Sequence, residues 1–127
     1  RMSEKDDVLL NQGIAYQQAG LLEAAKAVFA RAMRLYPDDH RFGEWSRMAC
    51  EGLGDRAGEV EALEHLYRIH PAESTIYLFP AMKMADDADL DDAFLRLAAL
   101  ADERNPVDPR LFVRLVLFHD RRGRSAE

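Results

Sequence analysis

Cysteine is nearly missing: Cys50 is the only one in 127 residues, so no disulfide can close within the chain and no Cys-rich metal site can be built. Long apolar runs are missing too. No stretch approaches the roughly 18 residues a helical membrane span needs. The opening Arg1-Met2-Ser3-Glu4-Lys5-Asp6-Asp7 is too polar for a signal peptide. Lysine is scarce, three against 14 arginines, and 23 acidic residues leave a formal net charge of -6. That balance argues against a broad nucleic-acid surface, because phosphate binding needs clustered Lys and Arg.

The usual signs of catalysis or of a cofactor are lacking as well. His40, His65, His70 and His119 are scattered, and none joins a second His and a carboxylate at metal-ligand spacing. The sequence shows no Ser-His-Asp order, phosphate-cradling glycine loop or Cys-His pairing. The acidic run Asp86-Asp87-Ala88-Asp89-Leu90-Asp91-Asp92 alternates like a calcium loop. It lacks the Gly at the sixth position and carries Ala98 where the twelfth needs Glu. It reads instead as a turn whose carboxylates favour the start of the next helix, with Asp89 as its cap. Neither an enzyme nor a metal protein is expected, and no cofactor.

What the chain does have is 48% hydrophobic residues, enough for a core, and a period. Gly20 and Gly54 stand 34 apart, as do Pro37 and Pro71, and Pro106 follows after 35. Gly123 follows Gly54 at twice the first spacing plus one, so both series place one inserted residue in the third repeat. Each period holds a helix, a tight turn, a second helix and a stop. In the first, Asp7 to Ala19 and Leu21 to Tyr36 are expected helices, Gly20 permits the turn and Pro37 ends the second. Leu22, Ala25, Val28, Phe29, Ala32, Met33 and Tyr36 form a stripe at helical spacing that needs a partner surface.

Gly13, Tyr16, Gly20, Ala25, Phe29, Ala32 and Pro37 resemble the tetratricopeptide repeat signature in type and spacing. The second unit keeps Gly54, Leu63 and Pro71 but places Arg47 and Cys50 where Gly13 and Tyr16 stood. The third is looser, with Ala81, Met84, Phe94, Ala98, Ala101 and Pro106, and Asp89 near the turn in place of glycine. The resemblance implies an all-α solenoid of helical hairpins wound into a right-handed superhelix, its concave face lined mainly by the first helices. Units are placed at 6–39, 40–73 and 74–108, followed by the first helix of a fourth at 109–122. Leu111 to Phe118 is apolar nearly all round, as befits a helix covered on several sides, and a half-present unit suggests a section of a longer array.

Pro80 falls inside the first helix of unit three. The neighbouring units demand a full-length helix, so a bend over Thr75 to Met84 is expected; the alternative starts the helix at Pro80.

The resemblance also implies a partner-binding concave face of Leu10, Ile14, Gln17, Trp45, Met48, Phe79, Met82, Arg114, Leu117 and Arg121. Trp45 with Phe79, and Met48 with Met82, would form adjacent apolar rungs suited to a helix or extended peptide. The other reading of Trp45 is a core residue packed with Phe42 and Ala49. Leu10 and Ile14 stand where chaperone-tail binders of the family carry a carboxylate-clamping Lys and Asn, so that clamp is absent. Arg104, Arg110, Arg114, Arg121, Arg122 and Arg124 make the C-terminal part basic, either to orient a charged partner or as surface charge at helix ends.

These features point to a protein-binding scaffold segment for a partner protein or peptide. Self-association through 109–122 is the alternative. Arginine-rich, alanine-rich composition suggests a bacterial source, where arrays of this type serve as scaffolds, including periplasmic ones in exopolysaccharide secretion such as the Pel and cellulose systems; a cytoplasmic regulatory array is the other placement.

Overall fold

The computed structural model describes residues 4–126, with side chains described for 5–123. The fold is all-α, with no strand among the described residues. The helices are α1 Glu4–Gln18, α2 Leu22–Leu35, α3 His40–Leu53, α4 Arg56–Ile69, α5 Phe79–Asp87, α6 Asp91–Arg104 and α7 Pro109–Ala126. Each packs on the next in sequence. α1 also touches α3, and α5 touches α7.

The period reappears as a repeated set of hydrogen bonds. Gly20 and Gly54 turn the chain with φ of 78° and 70°, and Asp89 occupies the same left-handed region at 58°. At all three turns an N–H bonds the carbonyl five positions back: Leu21 to Tyr16, Asp55 to Cys50, Leu90 to Ala85. The longer junctions match as well, with Tyr36 donating to Ala32, His70 to Leu66 and Asn105 to Ala101. Asp89 is therefore the turn residue and not the cap of α6, whose cap position is Leu90, without a side-chain cap bond. Where the other units use glycine, this turn needs a positive φ, which aspartate tolerates better than most residues.

Pro80 does not delay the helix. Ser74–Leu78 form one wide turn that runs directly into α5, the Phe79 N–H reaching the Ser74 carbonyl five positions back, and Pro80 stands in the first turn of α5. A wide turn of this kind accommodates one extra residue within a helix. It is the inserted residue of unit three. Buried Gly43, Ser46 and Cys50 of α3 correspond at a spacing of 35 to buried Leu78, Ala81 and Ala85, whereas a spacing of 34 gives half-buried Tyr77, exposed Pro80 and half-buried Met84.

This shift corrects two of the expected rungs. Trp45 is in register with Pro80 rather than Phe79, and Met48 with Lys83 rather than Met82. Met82 is fully buried and belongs to the core.

That core has two centres. Ala25, Phe29, Ala32, Phe42 and Ala49 pack together in the first half, and the Phe29 ring fills the space that a Cβ at Gly13 would need. A Cβ on Gly43 would lie 2.8 Å from Leu66. In the second half Leu78, Ala81, Met82, Ala85, Phe94 and Leu97 meet Leu111 and Phe118 of α7, and Phe94 stacks on Phe118 at 4.1 Å between centroids. Complete burial of each such ring contributes about 1.5–3 kcal/mol.

Candidate partner-binding face

The expected face divides into residues the core has absorbed and residues left open. Leu10 and Ile14 pack against the Phe29 cluster, Ile14 half-buried and Leu10 likewise. Gln17 is half-buried, and its Oε1 is buried without a hydrogen-bond partner among the described residues. Trp45 stacks on Phe29 at 6.1 Å and remains half-buried, so it braces the core while keeping one side accessible. Met48 and Leu117 are open, 41% and 43% exposed.

Phe79 lies beside α7. It borders a groove with Pro109, Arg110, Val113 and Arg114, and the Arg110 guanidinium sits 4.5 Å above its ring. In register, Phe79 of α5 answers to Val113 of α7, and Pro80 to Arg114, one period on. Arg114 is half-buried and makes no hydrogen bond or ion pair with another described residue. It edges an apolar groove, and at longer range its charge helps hold the Asp87 carboxyl down.

Arg121, expected on the concave face, is bound to the acidic turn instead. Its guanidinium lies 3.6 Å from Asp86, 3.5 Å from Asp87 and 3.4 Å from Asp89, and it donates to the Asp86 carbonyl at 3.1 Å. Arg122 donates to Asp86 at 2.6 Å, pairs with Asp91 and covers the Phe118 ring at 4.1 Å. The acidic turn thus neutralises Arg121 and Arg122 within the chain, and the Arg124 side chain lies outside the described residues. The hydrogen bond from Arg122 holds the Asp91 carboxyl below its ordinary value, as the bond from Lys83 does for Asp87.

A second arginine device lies outside the expected face. Arg41 donates from its backbone and side chain to Asp39, at 3.1, 3.0 and 2.8 Å, and extends its other arm 3.2 Å to Asp7 of the preceding unit. Arg110 repeats this with Asp108, at 2.9, 3.1 and 2.7 Å, and reaches the Thr75 hydroxyl at 2.5 Å. Its signal in the sequence is Asp-x-Arg at 39–41 and again two periods later at 108–110. Hydrogen bonds from Arg41 and from Arg110 hold the Asp39 and Asp108 carboxyls below their ordinary values.

Other polar groups serve packing. Burial alone would raise the Glu64 carboxyl, but hydrogen bonds from Arg96 and Arg68 bring it below its ordinary value and tie α4 to α6. Burial pushes the Cys50 thiol up, away from the reactive thiolate. His40 and His70 approach at 5.6 Å between rings, yet no group of three or more His, Cys, Asp or Glu suited to a metal occurs among the described residues. No helix among them is long and apolar enough to cross a membrane. No protein-family model matches the chain, and no curated protein matches it.

Proposed function

We propose that the chain is a stacked array of tetratricopeptide-type hairpins and that it works as a scaffold, holding a segment of a partner protein along α5 and α7. The repeated turns and junctions support the array, and one observation carries the binding: the groove of Phe79, Pro109 and Val113, edged by Arg114, which makes no ion pair with another described residue, and continued by exposed Leu117. Apolar side chains supply contact area and a single guanidinium supplies direction. The fitting partner is a helical or extended segment that places a carboxylate beside an apolar side chain.

Peptide display against the wild-type chain, with counter-selection on Val113→Ser/Arg114→Ala/Leu117→Ser, tests this reading. These positions are exposed or half-buried, so circular dichroism should be unchanged. Selected peptides should pair an acidic with an apolar residue and lose at least about tenfold in affinity on the variant, as the loss of about 1.4 kcal/mol would give. Peptides that bind both proteins equally would remove the groove from consideration. Trp45→Ala is a poor substitute, because it also strips a ring from Phe29.

A second reading, self-association, is favoured by a different side of α7. Phe112 and Val116 are exposed, although their counterparts one period earlier, Leu78 and Met82, are fully buried in the core that includes α6. A surface in that register suits a covering helix, and a second copy of α7 can supply one. Sedimentation over a hundredfold range of concentration, with Phe112→Ser/Val116→Ser as control, separates the two readings.

A further inference from the structure

From the match between the two arginine devices we infer that Thr75 is a phosphorylation site, at which a phosphoryl group completes an ion-pair clamp between the start of unit three's first helix and the start of α7. The two devices share every part but one. Arg41 and Arg110 each bind an aspartate two positions earlier and each extend the remaining arm one period back, to Asp7 in one case and Thr75 in the other. Asp7 is a carboxylate and Thr75 a neutral hydroxyl. Arg41 carries Asp39 and Asp7 at once, at 2.8 and 3.2 Å, so a guanidinium in this setting accepts a second anion without giving up the first.

The surroundings of Thr75 suit the added group. Its side chain is exposed, and Arg110 is half-exposed, which leaves room on the solvent side for phosphate oxygens to replace the hydroxyl contact. Arg104 borders the same depression with Ser74, Asn105 and Asp108 and makes no ion pair with another described residue, so a second cation offsets Asp108 and the nearby Glu73. Phosphothreonine opposite arginine forms charge-assisted hydrogen bonds that order the segments it joins. In the transfer, the Thr75 Oγ forms the new bond to the γ-phosphorus of a nucleoside triphosphate. Its proton passes to the base of a serine/threonine kinase, and the nucleoside diphosphate leaves. The clamp would also fix Arg110 above Phe79, stiffening one wall of the groove.

Two measurements decide the matter. Trypsin releases Ile69 to Lys83 as one peptide containing Ser74, Thr75 and Tyr77; in protein isolated from its source cells, fragmentation should place phosphate on Thr75. Recovery of that peptide only unmodified, or with phosphate confined to Ser74 or Tyr77, overturns the assignment. Separately, protein carrying phosphothreonine at 75, and Thr75→Asp, which installs the carboxylate that unit one uses, should melt a few degrees higher than the unmodified chain. The gain should vanish in the Arg110→Gln background and shrink at about 1 M salt. A lowered or unchanged Tm, or a gain that survives without Arg110, overturns the clamp.

Discussion

Between α1 and α4 the helices approach through missing side chains: Phe29 fills the space above Gly13, and Leu66 that above Gly43. Between α5 and α7 the equivalent positions carry larger residues, and closure relies on a wide turn, a left-handed aspartate and arginines spread over acidic groups. α7 packs on α5 and α6 less extensively than α1 packs on α2. Both halves combine shape with charge, Arg41 on Asp39 and Asp7 and Lys26 on Asp55 in the first, but the second ties down its last helix through arginines spread over an acidic turn. The half with spare surface and adjustable charge is also the one that carries the candidate groove.

The largest effect that would break this contrast is a cavity. Phe29→Ala should lower stability by about 3–5 kcal/mol, because a fully buried ring is lost from a site that α1 cannot collapse to fill. Phe118→Ala removes an equally large ring from the Phe94 stack but should chiefly release α7. Denaturant melts with hydrogen exchange distinguish the two. Equal global losses would mean that the halves share a single cooperative core.

Acid should come next in size. Asp87 and Asp91 sit below their ordinary 3.8, and Glu64 below its ordinary 4.5, each through hydrogen bonds from cations. Groups depressed in the folded state stabilise fully above their unfolded values, here above pH about 5, and lose that contribution as pH falls through the folded ones. Asp39 and Asp55 of the first half are held down in the same way, by bonds from Arg41 and Lys26, but the Phe29 packing beside them carries no charge. Exchange protection in α7 should therefore fade at a higher pH than protection in α1–α3. The reverse order would show that the arginine pairs do not hold α7.

Much of this was legible in the sequence, and each error has a physical origin. Glycine and proline mark backbone requirements, so the hairpins, the turns and even the presence of one inserted residue could be read from the regular spacing of Gly20, Gly54, Pro37, Pro71 and Pro106. Spacing alone does not say where within the unit an extra residue is absorbed. It lies in the wide turn ahead of Pro80, so every later position of α5 rotates by one residue, carrying Met82 inward and setting Pro80 opposite Trp45. The fate of Arg121 was hidden for another reason. Its acidic partners lie roughly one period back in the chain, where composition shows two charged segments but not that they meet.

The smallest effect offers the finest test, because one gain and two costs nearly cancel in it. Asp89→Gly relieves a left-handed backbone that costs an L-residue about 1–2 kcal/mol, and aspartate less than most. The same change loosens the unfolded chain, at about 0.4–1 kcal/mol, and removes an exposed pair to Arg121 of at most about 1 kcal/mol. In low salt the net change should stay within about 0.5 kcal/mol. At about 1 M salt the pair is screened while the backbone relief is untouched, so the substitution should shift toward stabilisation. A response that ignores salt would show that Asp89 serves only as a turn residue, and the charged corner holding α7 would then rest on Asp86, Asp87 and Asp91.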